Sequence, residues 1–237
     1  MSMPSEGLAS VLAPVRHVLL DFDGPVCSVF AGVPAPEVAR RLAEQLSGPD
    51  GPPPGHEESD PLAMLRRIAD ERDDLVPLAD ETLARLEMEA VDRAQPTPGG
   101  VAFLEACAAS GRVVWMVSNN ATVAIARYVD THGLGRLIAG QFGRVSGHPR
   151  SMKPSPELLF AAMAAAGARP GDCIFVGDAV RDIEAAHAAG MDAIGYANKP
   201  GKDAALTRAG AAAVVTSMGE LARATGGGSS ESFASLP

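Results

Sequence analysis

The chain has 237 residues, of which 46% are hydrophobic, enough for one domain or for one domain with an insert. Its net charge of −9 argues against nucleic acid or a membrane surface as the main partner. The sequence contains no apolar run of about 18 residues, which a membrane span would need, and its first residues do not resemble a secretory signal. The three cysteines form no pairing pattern, which suggests a reducing compartment. A cytoplasmic location is therefore expected.

The first predicted element is a buried strand at about residues 16–22, and acidic residues stand at its end. Asp21 and Asp23 are separated by one residue, so both carboxylates point to the same side of an extended strand, and Gly24 follows them. Two close carboxylates repel each other unless a cation lies between them, which makes Mg²⁺ a natural partner. Taken alone, the motif also fits an Asp-rich turn that ends a strand.

Residues 25–96 carry three amphipathic helical patterns and no convincing strand. The patterns cover 36–46, 61–70 and 77–94, and a proline- and glycine-rich loop separates the first two. They predict a helical insert that emerges beside Asp23. An ordinary helical subdomain without a part in catalysis is the alternative.

Strand and helix patterns alternate after residue 97, which predicts an α/β fold with a doubly wound parallel sheet. The predicted strands lie at 112–117, 172–176, 192–196 and 212–216. The predicted helices lie at 98–110, 120–132, 155–167, 179–189, 203–209 and 218–224. The predicted organisation is a core of residues 15–24 and 97–224, an insert of residues 25–96, and flexible termini at 1–14 and 225–237.

Further polar residues stand where predicted strands end or helices begin. Ser118 and Asn119 follow the strand at 112–117, where they could cap a helix or hold phosphate oxygens. The 20 lysines and arginines of the chain include only three lysines, so Lys153 ahead of a helix indicates a need for a compact point charge rather than a solvated surface residue. Asp178 and Asp182 follow the strand at 172–176 and lie on one face of the next helix, where Asp182 could also complement the helix dipole.

These four motifs, Asp-x-Asp, Ser, Lys and Gly-Asp-x-x-x-Asp, occur in this order over roughly residues 16–217. The arrangement resembles the haloacid dehalogenase superfamily of phosphohydrolases, in the branch of phosphoglycolate phosphatase and β-phosphoglucomutase. The resemblance implies a Rossmann-like core, and it implies that residues 25–96 form a C1-type helical cap. One departure is Pro25, which stands where the family usually carries Thr or Val and could alter the loop that leads into the cap.

The carboxylates then take defined roles. Asp21 is the predicted nucleophile that forms an aspartyl-phosphate, which is also the role that the resemblance implies for the first acid. Asp23 is the predicted general acid and then base, and the resemblance implies that its backbone carbonyl binds the metal. Asp178 is predicted to bind Mg²⁺ directly. With Asp21 and Asp23 it belongs to the predicted metal set, which Asp182 completes, directly or through water.

The remaining residues would bind the phosphoryl group. Catalysis of phosphoryl transfer depends on positioning and positive charge more than on covalent chemistry. Gly24, Ser118, Asn119 and Lys153 are the predicted phosphate-binding residues, and Ser118 and Lys153 are also counted as catalytic.

The hypothesis that follows is a Mg²⁺-dependent phosphatase that acts on a small phosphorylated metabolite. A phosphomutase of the β-phosphoglucomutase type, with the same site and a phosphorylated acceptor, is the alternative. A C–halogen hydrolase is disfavoured because that chemistry does not need a metal site. Phosphonate hydrolysis through a cap lysine is disfavoured because residues 25–96 contain no lysine. The complete set of motifs disfavours a binding protein without activity.

Overall fold

A six-stranded parallel sheet forms the centre of the computed structural model, which describes residues 5–49 and 51–226. The strands, in chain order, are β1 (His17–Leu20), β2 (Cys27–Ser28), β3 (Gln95–Pro96), β4 (Val113–Ala121), β5 (Gly140–Arg144), β6 (Cys173–Gly177), β7 (Asp192–Tyr196) and β8 (Ala213–Val215). The helices are α1 (Ser5–Leu12), α2 (Ala35–Leu46), α3 (Pro61–Glu71), α4 (Val76–Val91), α5 (Gly100–Ala109), α6 (Thr122–Thr131), α7 (Glu157–Ala166), α8 (Val180–Ala188), α9 (Lys202–Arg208) and α10 (Met218–Gly226).

The order of the strands across the sheet is β5-β4-β1-β6-β7-β8. The chain therefore runs from β1 outward to β5, returns to the middle at β6, and continues outward on the other side. In such a doubly wound sheet, ligands bind outside the carboxyl ends of the strands where the order reverses, which here lies between β1 and β6. The predicted α/β fold class is confirmed.

Strand β1 is buried on both faces, as is usual for a parallel sheet covered by helices on both sides. Val18, Leu19 and Leu20 have no exposed surface. Val18 and Leu20 pack into the hydrophobic cluster on one face of the sheet, and Leu19 packs into the cluster on the other. The apolar run that identified this strand in the sequence is therefore explained by two-sided burial.

The helices α2, α3 and α4 lie between β1 and β4 in the chain, which confirms the predicted helical insert. The two chain segments that connect it to the core pair as the short antiparallel strands β2 and β3. The insert packs on the core mainly through α4, which contacts α6 and the end of β4. The division of the chain at residues 25 and 96 stays a prediction.

Helix α1 and strand β5 were not predicted from the sequence, and neither were the two-residue strands β2 and β3, which lie in the segment 25–96 where no strand was expected. Helix α1 occupies a segment predicted to be flexible, and Leu8 and Leu12 on this helix are almost fully buried. Strand β5 pairs with β4 at the edge of the sheet, and its two glycines concealed it. A Cβ atom on Gly143 would lie 2.5 Å from the backbone nitrogen of Thr122, so close packing requires glycine there.

The predictions for the extreme termini lie largely outside the described residues, which exclude residues 1–4 and 227–237. Within the part of the chain that the structure describes, no helix is both long enough and apolar enough to cross a bilayer.

Candidate active site

Three carboxylates meet at the carboxyl ends of β1 and β6. Asp21 directly follows β1, and its backbone N–H donates to the carbonyl of Val176 in β6 at 2.9 Å. Asp178 directly follows β6, and Asp182 lies in the first turn of α8. Each of the three acids offers a carboxylate oxygen, and these oxygens lie within 4.8 Å of one another. The structure thus brings together residues that the sequence predicted to share one site.

Gly24 lets the chain after β1 pass close to Asp178. Its φ of +107° lies in the left-handed region that favours glycine. A Cβ atom at this position would lie 2.7 Å from Cγ of Asp178. Both observations explain why glycine follows the two acids, independently of the predicted contact between Gly24 and phosphate.

Lys153 lies between two of the carboxylates. Its Nζ is 2.9 Å from Oδ1 of Asp21 and 2.8 Å from Oδ1 of Asp182, and it donates to the carbonyl of Val117 at 3.0 Å. The lysine is only 1% exposed. Burial acts to lower the pKa of Lys153, but the charges of Asp182 and Asp21 outweigh it and raise that pKa above its usual value. The side chain is therefore a buried ammonium, as the prediction of a point charge requires.

The two acids of the first motif are harder to ionise than ordinary aspartates. Burial, together with the charges of Asp182 and Asp178, raises the pKa of Asp21 to about 7 against the opposing charge of Lys153. Burial also raises the pKa of Asp23 to about 6, although Val29 donates its backbone N–H to Oδ1 of Asp23 at 2.9 Å. A protonated fraction near neutral pH is what a general acid needs.

Ser118 and Asn119 lie inside β4, which continues to Ala121, so the helix predicted to begin at residue 120 begins at Thr122 instead. Both side chains are buried. The amide of Asn119 binds the backbone of Lys153 twice, because it accepts from the N–H at 2.8 Å and donates to the carbonyl at 3.1 Å. Asn119 thereby holds Lys153 in place.

Sequence reasoning missed two contacts with Asp178. Asn198, from the loop after β7, donates to Oδ2 of Asp178 at 2.8 Å, and Lys202, the first residue of α9, donates to the same oxygen. The scarcity of lysine that identified Lys153 would also have identified Lys202, since the chain has only one other, Lys199.

Two arginines near the site were also missed. Arg66 of α3 donates to the carbonyl of Lys153 at 2.8 Å. Arg181 of α8 lies 3.8 Å from Asp60, whose side chain caps α3. Burial lowers the pKa of Arg66, and the like charge of Arg181 adds to this effect. Among so many arginines the sequence carries no signal for these two.

The fold and the site define an α/β enzyme with an acidic, lysine-containing centre where the strand order reverses. A family model described as a haloacid dehalogenase-like hydrolase matches residues 15–190. The chain belongs to this family.

A curated relative with a matching sequence is a phosphoglycolate phosphatase from Xylella fastidiosa (strain Temecula1 / ATCC 700964). The two chains are 34% identical over 119 residues, which cover 48% of this chain and 49% of the relative. The chain thus spans about half the length of the curated relatives it matches.

Solved structures with the same fold are similar over nearly their whole length. One is described as a predicted phosphatase from Clostridium acetobutylicum, with a TM-score of 0.71 and 17% identity, and the match covers 88% of this chain and 97% of that one. A β-phosphoglucomutase from Clostridium difficile has a TM-score of 0.66 and 19% identity, with 87% and 93% covered. At these identities the likeness concerns the fold.

Proposed function

We propose that the protein is a Mg²⁺-dependent phosphatase that hydrolyses a small phosphorylated metabolite through an aspartyl-phosphate on Asp21. The observation that carries this proposal is the buried Lys153 ammonium within 3 Å of both Asp21 and Asp182. A phosphoryl group carries negative charge, and a fixed cation beside a carboxylate nucleophile offsets its repulsion. The family and the phosphatase relatives support the same reaction class.

The acidic cluster is suited to a hard divalent cation, because its carboxylate oxygens come within 4.8 Å of one another. Asp21 and Asp178 would hold Mg²⁺, together with the backbone carbonyl of Asp23. Asp182 accepts from the backbone N–H of Ala179 at 3.0 Å and faces Lys153 with its other oxygen, so we assign it an indirect role through water or through Lys153. When bound, Mg²⁺ would reduce the repulsion between Asp21 and the phosphoryl oxygens.

In the proposed reaction, Oδ of Asp21 attacks phosphorus while Asp23 gives a proton to the leaving alkoxide. Asp23 then takes a proton from the water that cleaves the aspartyl-phosphate and releases inorganic phosphate. Lys153 and the hydroxyl of Ser118 would hold phosphoryl oxygens throughout, and Asn119 would act by fixing Lys153.

Metal removal is expected to stop hydrolysis of an aryl phosphate, and added Mg²⁺ should restore it. Asp178→Asn removes a ligand charge, so it should raise the Mg²⁺ concentration for half-maximal rate by about tenfold or more. Asp192→Asn, which changes an exposed aspartate at the start of β7, serves as the matched control and should leave the titration unchanged. Full activity of exhaustively metal-free protein would contradict the proposal.

The phosphomutase alternative would use the same residues, and the fold of the β-phosphoglucomutase from Clostridium difficile is compatible with it. The products distinguish the two reactions. A phosphatase releases one inorganic phosphate for each ester consumed, whereas a mutase returns a phosphorylated isomer and releases little phosphate.

We also propose that residues 25–96 act as a C1-type cap that selects the substrate, and Arg66 is the residue best placed to do so. It comes from the insert, is partly exposed, and contacts the backbone of Lys153. The like charges of Arg66 and Arg181 repel each other, and an anionic group on the substrate would relieve this repulsion. Guanidinium groups bind such anions well.

Arg66→Gln is therefore expected to reduce kcat/KM more for a phosphate ester that carries a carboxylate than for an uncharged aryl ester, by a further factor of about ten, or ~1.4 kcal/mol. The measurement is kcat/KM for both esters. Arg67→Gln alters the exposed neighbour, which pairs with Glu71, and should leave both values unchanged. Equal losses on the two esters would count against a selecting role for Arg66.

A further inference from the structure

A buried network of charged groups joins the helical insert to the segment that carries Ser118. Its centre is the ion pair between Glu87 of α4 and Arg144 of β5, both of which are almost completely buried. The two guanidinium nitrogens Nη1 and Nη2 of Arg144 donate to the two carboxylate oxygens of Glu87, each at 3.1 Å. Nη1 of Arg144 also donates to the backbone carbonyl of Asn119 at 2.8 Å.

The carboxylate of Glu87 also reaches the phosphate segment directly. It accepts from Nδ2 of Asn120 at 3.1 Å and from the backbone N–H of Ala121 at 2.9 Å. A carboxylate only accepts, so it fixes the orientation of the Asn120 amide and turns Oδ1 of Asn120 towards Ser118.

The Ser118 hydroxyl is consequently held by Asn120. Oγ of Ser118 lies 3.2 Å from Oδ1 of Asn120 and accepts from the backbone N–H of Asn120 at 3.3 Å. The N–H contact holds Oγ while the hydroxyl hydrogen is free to turn from Asn120 to a phosphoryl oxygen. A chain of contacts therefore runs from Glu87 through Asn120 to Ser118.

A second acid on α4, Asp80, contacts the segment on the other side of the site. Asp80 lies seven residues before Glu87, on the same face of α4. It binds Arg144 through one oxygen, and the other accepts from the backbone N–H of Gly147 at 3.0 Å, in the loop that leads to Lys153. One helix of the insert thus contacts the segments of both Ser118 and Lys153.

We propose that Glu87 is a positioning residue for catalysis, which acts on the phosphoryl group through Asn120 and Ser118. The proposal rests on the function proposed above, because it assigns phosphate binding to Ser118. Apolar contacts would attach α4 to the core without the cost of burying charges. Here the carboxylate of Glu87 accepts hydrogen bonds from Asn120 and Ala121, which come shortly after Ser118 in the chain. The buried carboxylate therefore determines the geometry of that segment. The helix α4 is by this argument a fixed part of the catalytic core.

The test compares Glu87→Gln with Glu81→Gln, which changes an exposed acid on the same helix. The full chain is assayed with Mg²⁺ below its unfolding temperature, for kcat/KM on an aryl phosphate and for inhibition by inorganic phosphate. The amide that Glu87→Gln introduces cannot accept from every donor that the carboxylate binds, so we expect about tenfold losses in both quantities. Glu81→Gln should leave both unchanged.

A double-mutant cycle with Ser118→Ala separates positioning from mere stability. If Glu87 acts through Ser118, Glu87→Gln should change the rate less than twofold in the Ser118→Ala background. If Glu87→Gln does not fold, Asn120→Ala replaces it, because this variant leaves the ion pair of Glu87 and Arg144 in place. It should show the same loss of kcat/KM and of phosphate inhibition, and the same non-additivity with Ser118→Ala.

Two results would overturn the proposal on its own. The first is a Glu87→Gln protein with a lower melting temperature but the same inhibition by phosphate as the wild type. The second is a Glu87→Gln substitution that lowers the rate equally in the wild-type and Ser118→Ala backgrounds, although Ser118→Ala alone reduces activity. A wild-type protein that neither hydrolyses the ester nor binds phosphate would instead refute the proposed function, and the positioning role with it.

Discussion

Asp21→Asn is expected to lower kcat by about 10⁴-fold or more while the folded protein stays at least as stable as the wild type. The rate falls because an amide is a poor nucleophile, and loss of a nucleophile removes the covalent pathway altogether. Asp21 follows the central strand β1 and lies 2.9 Å from Lys153, so Asn of nearly equal size preserves the packing.

The expected stability follows from the pKa of Asp21, which burial raises from 3.8 to about 7. An acid whose pKa is higher in the folded state makes the protein less stable as the pH rises through this interval, because the ionised form is disfavoured by folding. Asparagine carries no charge at any pH. Without metal at pH 8, the melting temperature of the variant should therefore equal or exceed that of the wild type.

Two measurements check this prediction, the rate on an aryl phosphate and the thermal melt in the presence of a chelator. In the wild type, rapid quenching during turnover should trap a phosphoryl group on Asp21. A label on another residue, or substantial turnover by the folded variant, would refute the nucleophile assignment.

The sequence was sufficient for those parts of the site that depend on strand order. Asp21 and Asp178 follow apolar runs that are buried on both faces, and the carboxyl ends of neighbouring parallel strands must meet. Strand β5 gave no such signal, because it lies at the edge of the sheet and one of its two glycines, Gly143, is needed for close packing against Thr122.

The contacts that hold the site depend on tertiary packing and could not be predicted. Glu87 occupies a helix rich in acids, and nothing local distinguishes it from the exposed Glu81. Asn119 was predicted to bind phosphate, which stays a prediction, but nothing in the sequence indicated that its side chain binds the backbone of Lys153. A side chain with donors and acceptors can satisfy either role, so its partner is set by the fold around it.

Lys153→Met is expected to have the second large effect, on both stability and activity. The side chain is almost fully buried and is the cation shared by Asp21 and Asp182. Removing one partner from a buried ion pair leaves the other charge uncompensated, which typically costs about 3–5 kcal/mol in the free energy of unfolding. Two carboxylates remain here. Lys199→Met, at an exposed lysine, is the control and should leave stability unchanged.

The pH dependence and a second substitution make this prediction specific. The pKa of Lys153 is raised above 10.5, so its stabilising contribution is fully present below that pH and is lost only as the pH rises through the folded value. Lys153 counteracts the rise in the pKa of Asp21, so in metal-free Lys153→Met that pKa should rise further. The stability deficit of the variant relative to the wild type should therefore shrink as the pH falls from 8 to 5. The double variant Lys153→Met with Asp182→Asn removes one of the two uncompensated carboxylate charges, so it should recover stability but not turnover.

Urea denaturation across this pH range, with a chelator present, measures both effects on stability. A deficit that is independent of pH, or a double variant no more stable than Lys153→Met, would show that the ammonium is not the counter-charge that holds these acids together.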